Sequence, residues 1–305
     1  MFSGTLISYR LPWKWTDRRP QLRDRIDPYG FERPEDFDYA AYEEFFSTYL
    51  AILTRRAIKW SKLLKGGAGV QKSVTLKRYI RKGVPLEHRA RVWMGVSGAQ
   101  AQMDQNPGYY LHLLQGEKDD SLEEAIRTDY YSPSMLGLKT DQEVLGELVR
   151  TKLPAVAALM DSHGLLWTLV VSRWFICLFV DVLPVETVLR IWDCLFNEGS
   201  KIIFRVALTL IKEHQALILE ATSVPDICEK FKDITRGSFV TECHTFMRVK
   251  TQPKCKEICA VYGEGAVTAG TCQSGLRSSV LEISRWTMLH SRVDQLKLIA
   301  IKSRH

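Results

Sequence analysis

Alternation of apolar and polar side chains does not run for a useful length anywhere in the 305 residues, which argues against half-buried strands and a sheet-based fold. No internal repeat recurs either. Cysteine is scarce: seven residues, an odd number, lie thinly between Cys177 and Cys272 and do not form the framework of a small disulfide-stapled domain. The N-terminus shows no charged segment followed by a signal-type apolar core, so the expected compartment is reducing and cytoplasmic. Charge of one sign is in small excess, +7 from 42 basic and 35 acidic residues, and the basic residues are dispersed, which gives nucleic-acid binding little support. Long uncharged apolar runs are absent too. Leu165–Leu183 has the length to span a bilayer but carries Arg173 at its centre and Asp181 near its end. A central arginine costs at least about 3 kcal/mol there, so buried core helices are the expected account. Cys243, His244, Cys255 and Cys259 lack the paired C-x₂₋₄-C hairpins of a structural zinc site, and no metal is expected. Cys177 and Cys194 read as core residues on apolar helical faces, with no histidine nearby in sequence to activate them.

Helical periodicity is plentiful. Tyr42, Phe45, Phe46, Tyr49, Leu50 and Leu53 recur at three- and four-residue steps, predicting an amphipathic helix from about Asp38 to Leu64 with an aromatic face. Gly66, Gly67 and Gly69 follow as a joint. Residues 76–93 predict two short helices broken at Gly83, with Pro85 suited to the first turn of the second. Arg89 and Trp93 lie four apart and share a face, where guanidinium and indole can stack. Asn106-Pro107 opens a short helix holding Tyr109, Tyr110, Leu113 and Leu114. Ser121 and Glu124 form a capping box for another, which Pro133 stops within about two turns. Asp141 is a plausible cap for a helix carrying Val144, Leu145, Leu148 and Val149. Pro184 opens a helix with Arg190 and Asp193 one turn apart, Asn197-Glu198-Gly199 stops it, and Ile202 to Ile211 begin another amphipathic helix. The fold class is therefore all-α. Its expected limits are an irregular arm over 1–37, a helical domain over 38–247 and a poorly ordered basic tail over 248–305.

The runs IRKGVPLEHRARVW and RWFICLFVDVLPVETVLRIWDCLFNEGSKIIFRVALTLI resemble the TBC domain, an all-helical module of GTPase-activating proteins for Rab-type small GTPases. The resemblance covers about Asp38 to Met247. It matches Arg89 and Trp93 to an early Arg/Trp motif, and Arg173, Trp174, Pro184, Trp192, Asp193 and Gly199 to the C-terminal half, as structural or partner-contact positions. It implies a GTP-bound Rab partner and action in vesicle traffic. No cofactor belongs to the chain itself; contact with endomembranes is at most peripheral, and the chain is a monomer.

The resemblance also implies that the activator donates an arginine, on I-x-x-D-x-x-R, and a glutamine, on Y-x-Q. The arginine stabilises charge on phosphoryl oxygens in the transition state and the glutamine orients the attacking water. Here Ile126 and Asp129 occupy the first two positions of the arginine motif, but Ser132 stands where the arginine belongs, and no Y-x-Q occurs in the sequence. Arg127, five positions before Ser132, is expected on the surface and not where the finger points. The expectation is a domain, as in a splice variant, whose central finger-bearing segment is missing after about residue 129, with weak or no activating ability. The other reading is a non-catalytic module that binds a Rab protein or another partner.

Overall fold

A computed structural model of the chain describes residues 37–65, 70–108, 130 and 134–250, and among these all regular structure is helical. Backbone contacts divide the chain into two units, Met1–Arg55 and Arg56–His305. Helix α1, Tyr39–Leu64, has the predicted length; Asp38 caps it, its Oδ1 accepting from the Ala41 N–H at 3.0 Å. In the first unit the predicted aromatic face forms a chain of ring contacts. Phe37 meets Tyr39 and Tyr42 edge-on, Tyr42 stacks on Phe46, and Phe45 stacks on Tyr49.

In the second unit, Ser73 caps α2 (Val74–Lys82), and Gly83 at φ +114° lets the chain turn into α3 (Leu86–Ser97). Pro85 sits just before α3 instead of inside its first turn. A short α4, Ala99–Gln105, buries nothing. Helix α5 spans Leu136–Lys152 and begins after Met135 in the left-handed region, so Asp141 lies inside it and is not its cap. The remaining helices are α6 (Pro154–Ser162), α7 (Trp167–Ile176), α8 (Val185–Glu198), α9 (Lys201–Glu213), α10 (Gln215–Leu219), α11 (Val224–Asp233), α12 (Ser238–Thr241) and α13 (Cys243–Lys250).

Helix α8 is central: it packs against α2, α3, α9, α12 and α13, while α5 packs on α6, α7 and α9. The stripe Val188, Ile191 and Leu195 on α8 meets a core continued by Ile203, Val206, Leu210 and Ile211 of α9, as the periodicity predicts. Gly146 of α5 lets α7 approach closely, since a Cβ there would stand 2.7 Å from the Trp167 ring.

The apolar run from Leu165 to Leu183 is not one buried helix. Helix α7 ends at Ile176, and the chain then turns with Leu178, Phe179 and Asp181 all at positive φ. Such residues cost roughly 1–3 kcal/mol each and persist where tertiary contacts hold them. Here Phe179 is fully buried and the Leu178 carbonyl accepts from Trp192 Nε1 at 3.1 Å. Cys177 closes α7 half-buried instead of lying on a helical face; Cys194 is buried on α8 as predicted. No described helix is long and apolar enough to cross a membrane. The glycine joint, the helix predicted after Asn106, and nearly all of the N-terminal arm and C-terminal tail lie outside the described residues.

Candidate functional site: a buried polar hub and the finger remnant

One carboxylate gathers the family-motif residues. Helix α8 turns Asp193 toward the α2–α3 junction, where its Oδ2 accepts from the Val84 N–H at 3.0 Å. Its Oδ1 accepts from Arg89 Nε at 3.1 Å and from Trp93 Nε1 at 2.9 Å. Arg89 and Trp93 do share a face of α3, and what joins them is this common acceptor. The Trp93 ring also packs on Phe196, centroids 4.9 Å apart, and edge-on to Trp192. Asp193 is wholly buried and Arg89 nearly so. A charge is tolerated there because it is paired and hydrogen-bonded.

Around the hub the α2–α3 turn is locked from a second side. Trp60 Nε1 donates to the Gly83 carbonyl at 3.0 Å, and Arg190 Nη2 donates to the Arg81 carbonyl at 2.9 Å. A Cβ at position 83 would stand 2.6 Å from Arg56 Nη1 and 2.8 Å from Arg190 Nε, so only glycine fits. His244 Nδ1 lies 2.9 Å from Arg190 Nη1. Burial, reinforced by the charges of Arg56, Arg190 and Arg248, holds the His244 pKa down to about 3.

At the end of α8, Glu198 binds Arg81 with both oxygens, at 2.7 and 2.6 Å, with Lys77 at 3.3 Å and Arg205 at 3.6 Å. Burial alone would raise its pKa, but the hydrogen bonds and charges of Arg81 and Lys77 prevail and lower it to about 2. Sequence reading saw Glu198 only as part of a helix stop; its partners on α2 lie over a hundred positions away.

The other motif positions are scaffold. Trp174 is buried beside Phe179 and Phe231, Pro184 precedes the first turn of α8, and Gly199 ends that helix at φ +85°. Trp192 is half-buried. Arg173 alone among these eight positions is exposed. Ile126, Asp129 and Ser132 lie outside the described residues. Of the stretch from Ser121 to Pro133 only Tyr130 is described; it is buried, and its hydroxyl donates to Asp141 Oδ2 of α5 at 3.0 Å. Among the described residues no group of His, Cys, Asp and Glu is arranged to hold a metal ion.

The model of the Rab-GTPase-TBC domain matches residues 122–219. Growth hormone-regulated TBC protein 1 of Mus musculus is 60% identical over 315 residues, covering 73% of this chain and 88% of the relative. The Homo sapiens protein of that name is 62% identical over 298 residues, with the same coverages. The chain belongs to the Rab-GTPase-TBC domain family. Its fold agrees with the crystal structure of the Chlamydomonas flagellar RabGAP TBC domain, at a TM-score of 0.56 and 22% identity over 74% of this chain and 99% of that one. Membership in the TBC family makes a Rab-type GTPase the partner class and GTPase activation the functional class. The Asp193 carboxylate ties α8 to α3 and to the α2–α3 junction.

Proposed function

We propose that this TBC-family chain binds a GTP-bound Rab-type GTPase without supplying the two side chains that accelerate hydrolysis. The observation that carries this reading is Ser132 standing three residues after Asp129, where the family motif has arginine, in a sequence with no Y-x-Q. Alignment length supports it. About 223 residues of this chain, 73% of 305, are spread over 315 aligned positions with the mouse relative, so about 92 positions have no counterpart here. Leu136, Leu166 and Leu169, 61–69% exposed on and beside α5 and α7, fit a domain that has lost covering helices. An arginine finger is worth about 10³ to 10⁵ in rate, or roughly 4–7 kcal/mol of barrier, and Arg127, five positions before Ser132, does not stand at the motif's finger position. Arg173, exposed on α7, is the motif residue we assign to partner contact.

The binding module spans 38–247, flanked by an arm over 1–37 and a basic tail over 248–305, and works as a cytoplasmic monomer in membrane traffic, at most peripheral at endomembranes. Restoring the central segment from the mouse relative tests the proposal. The restored chain should raise Rab GTP hydrolysis at least about a thousandfold above the present one, in keeping with the worth of a finger. Equal rates would refute it.

A further inference from the structure

We propose that Lys77, Arg81 and Arg205, gathered at the Glu198 carboxylate, together with Lys201 in the first turn of α9, form a binding site for a phosphomonoester anion. Lys77 and Arg81 are one turn apart on α2, and Lys201 and Arg205 are one turn apart on α9. Like charges so spaced on a helix repel. Lys77 and Arg81 nevertheless meet Arg205 at the end of α8, where all three reach Glu198. The Glu198 side chain is 2% exposed whereas those of Lys77 and Arg81 are 40% and 34% exposed, so the carboxylate holds these two cations from beneath and leaves their outer sides to solvent, with Arg205, 14% exposed, behind them.

Three cations against one carboxylate leave two positive charges in a compact cluster, and Lys201 adds a third at the start of α9. Helix α2 contains no acidic residue, and α9 none before Glu213. Exposed Arg78 and Lys82 extend the positive surface along α2. The N-terminus of α9, whose cap residue Ser200 makes no side-chain cap bond, adds its dipole at Lys201. A phosphomonoester matches this chemistry: it is compact and carries up to two charges, and guanidinium and ammonium groups grip it with charge-assisted hydrogen bonds. A nucleic acid would need a longer basic track with exposed stacking aromatics, and the neighbouring Tyr79 is instead packed edge-on against Trp60. The phosphate could belong to a lipid headgroup or to a soluble molecule.

The full chain should be titrated calorimetrically with inositol trisphosphate. In parallel it should be sedimented with phosphatidylcholine vesicles containing phosphatidylinositol bisphosphate or charge-matched phosphatidylserine. Saturable binding to the soluble probe without vesicle preference identifies a free phosphate as the ligand; preference for the bisphosphate vesicles over phosphatidylserine identifies the lipid. In either case K77Q/K201Q should weaken binding about tenfold or more, since it removes two charged donors, and K77R/K201R should retain it. Lys139→Gln with Lys212→Gln, removing equal charge on α5 and at the far end of α9, should leave binding unchanged. No saturable binding to the soluble probe together with no preference for the bisphosphate vesicles over phosphatidylserine, or equal weakening by the distant pair, would overturn the proposal.

Discussion

Asp193→Asn is the substitution the fold should tolerate least. The carboxylate accepts from Val84 N–H, Arg89 Nε and Trp93 Nε1 at 2.9–3.1 Å and lies 3.9 Å from Arg190 Nε. Asparagine keeps the shape, removes the charge, and turns one acceptor into an NH₂ that must face an N–H. Arg89, with a side chain 6% exposed, is then left as a buried cation without its counter-charge. Breaking a buried pair from one side costs about 3–5 kcal/mol, against a total stability of roughly 5–15 kcal/mol for a domain. Urea unfolding followed by tryptophan fluorescence and far-ultraviolet circular dichroism measures the loss as a shift in midpoint at constant slope. The control is Asp161→Asn, whose side chain is 59% exposed and whose solvent-screened ion pair with Arg150 should leave the midpoint nearly unchanged. Replacing both ends, as Asp193→Leu with Arg89→Met, should cost less than Asp193→Leu alone, because the Arg89 charge is removed together with its partner. A loss under about 1 kcal/mol for Asp193→Asn would refute the reasoning, since the hub would then not be what holds α2, α3 and α8 together.

Gly83→Ala should destabilise by more than about 2 kcal/mol in the same assay, because it combines a strained positive φ with a Cβ 2.6 Å from Arg56 Nη1. His244, held neutral with its pKa near 3, makes the unfolded chain take up a proton that the folded chain refuses below about pH 6.5. Stability should therefore fall by roughly 2 kcal/mol between pH 6.5 and 5, and His244→Gln should flatten that slope. Glu198 acts lower: its folded pKa is near 2 against an ordinary 4.5, so its contribution of roughly 3 kcal/mol is present above about pH 4.5 and disappears as the pH falls toward 2. Glu198→Gln should remove this second acid limb and leave the His244 limb in place.

Much of the helical scaffold is legible without coordinates because its signals are local. The stripe on α8 and the breaks at Gly83 and Gly199 are written within single turns, and the structure keeps them. Where tertiary contacts overrule local pattern, local reading fails. The run from Cys177 to Leu183 has no glycine or proline to announce a turn, yet three of its residues take positive φ around the buried Phe179. Thr140-Asp141 looks like a cap, but α5 begins earlier and Asp141 receives Tyr130 instead. Arg89, Trp93, Arg190 and Asp193 could be picked out individually from spacing and resemblance. Their convergence on one carboxylate spans about a hundred positions of chain, a distance over which periodicity carries no information. Glu198 was invisible as a site for the same reason.

The stretch carrying Ile126, Asp129 and Ser132 identifies the mechanism by resemblance and departs from it at the decisive residue. Single-turnover GTP hydrolysis across a panel of GTP-loaded Rab proteins, with binding measured on the same samples and the mouse relative alongside, is the most direct test. The account predicts that this chain binds at least one Rab protein and leaves its hydrolysis rate at the intrinsic value. Acceleration comparable to that given by the mouse relative would contradict it.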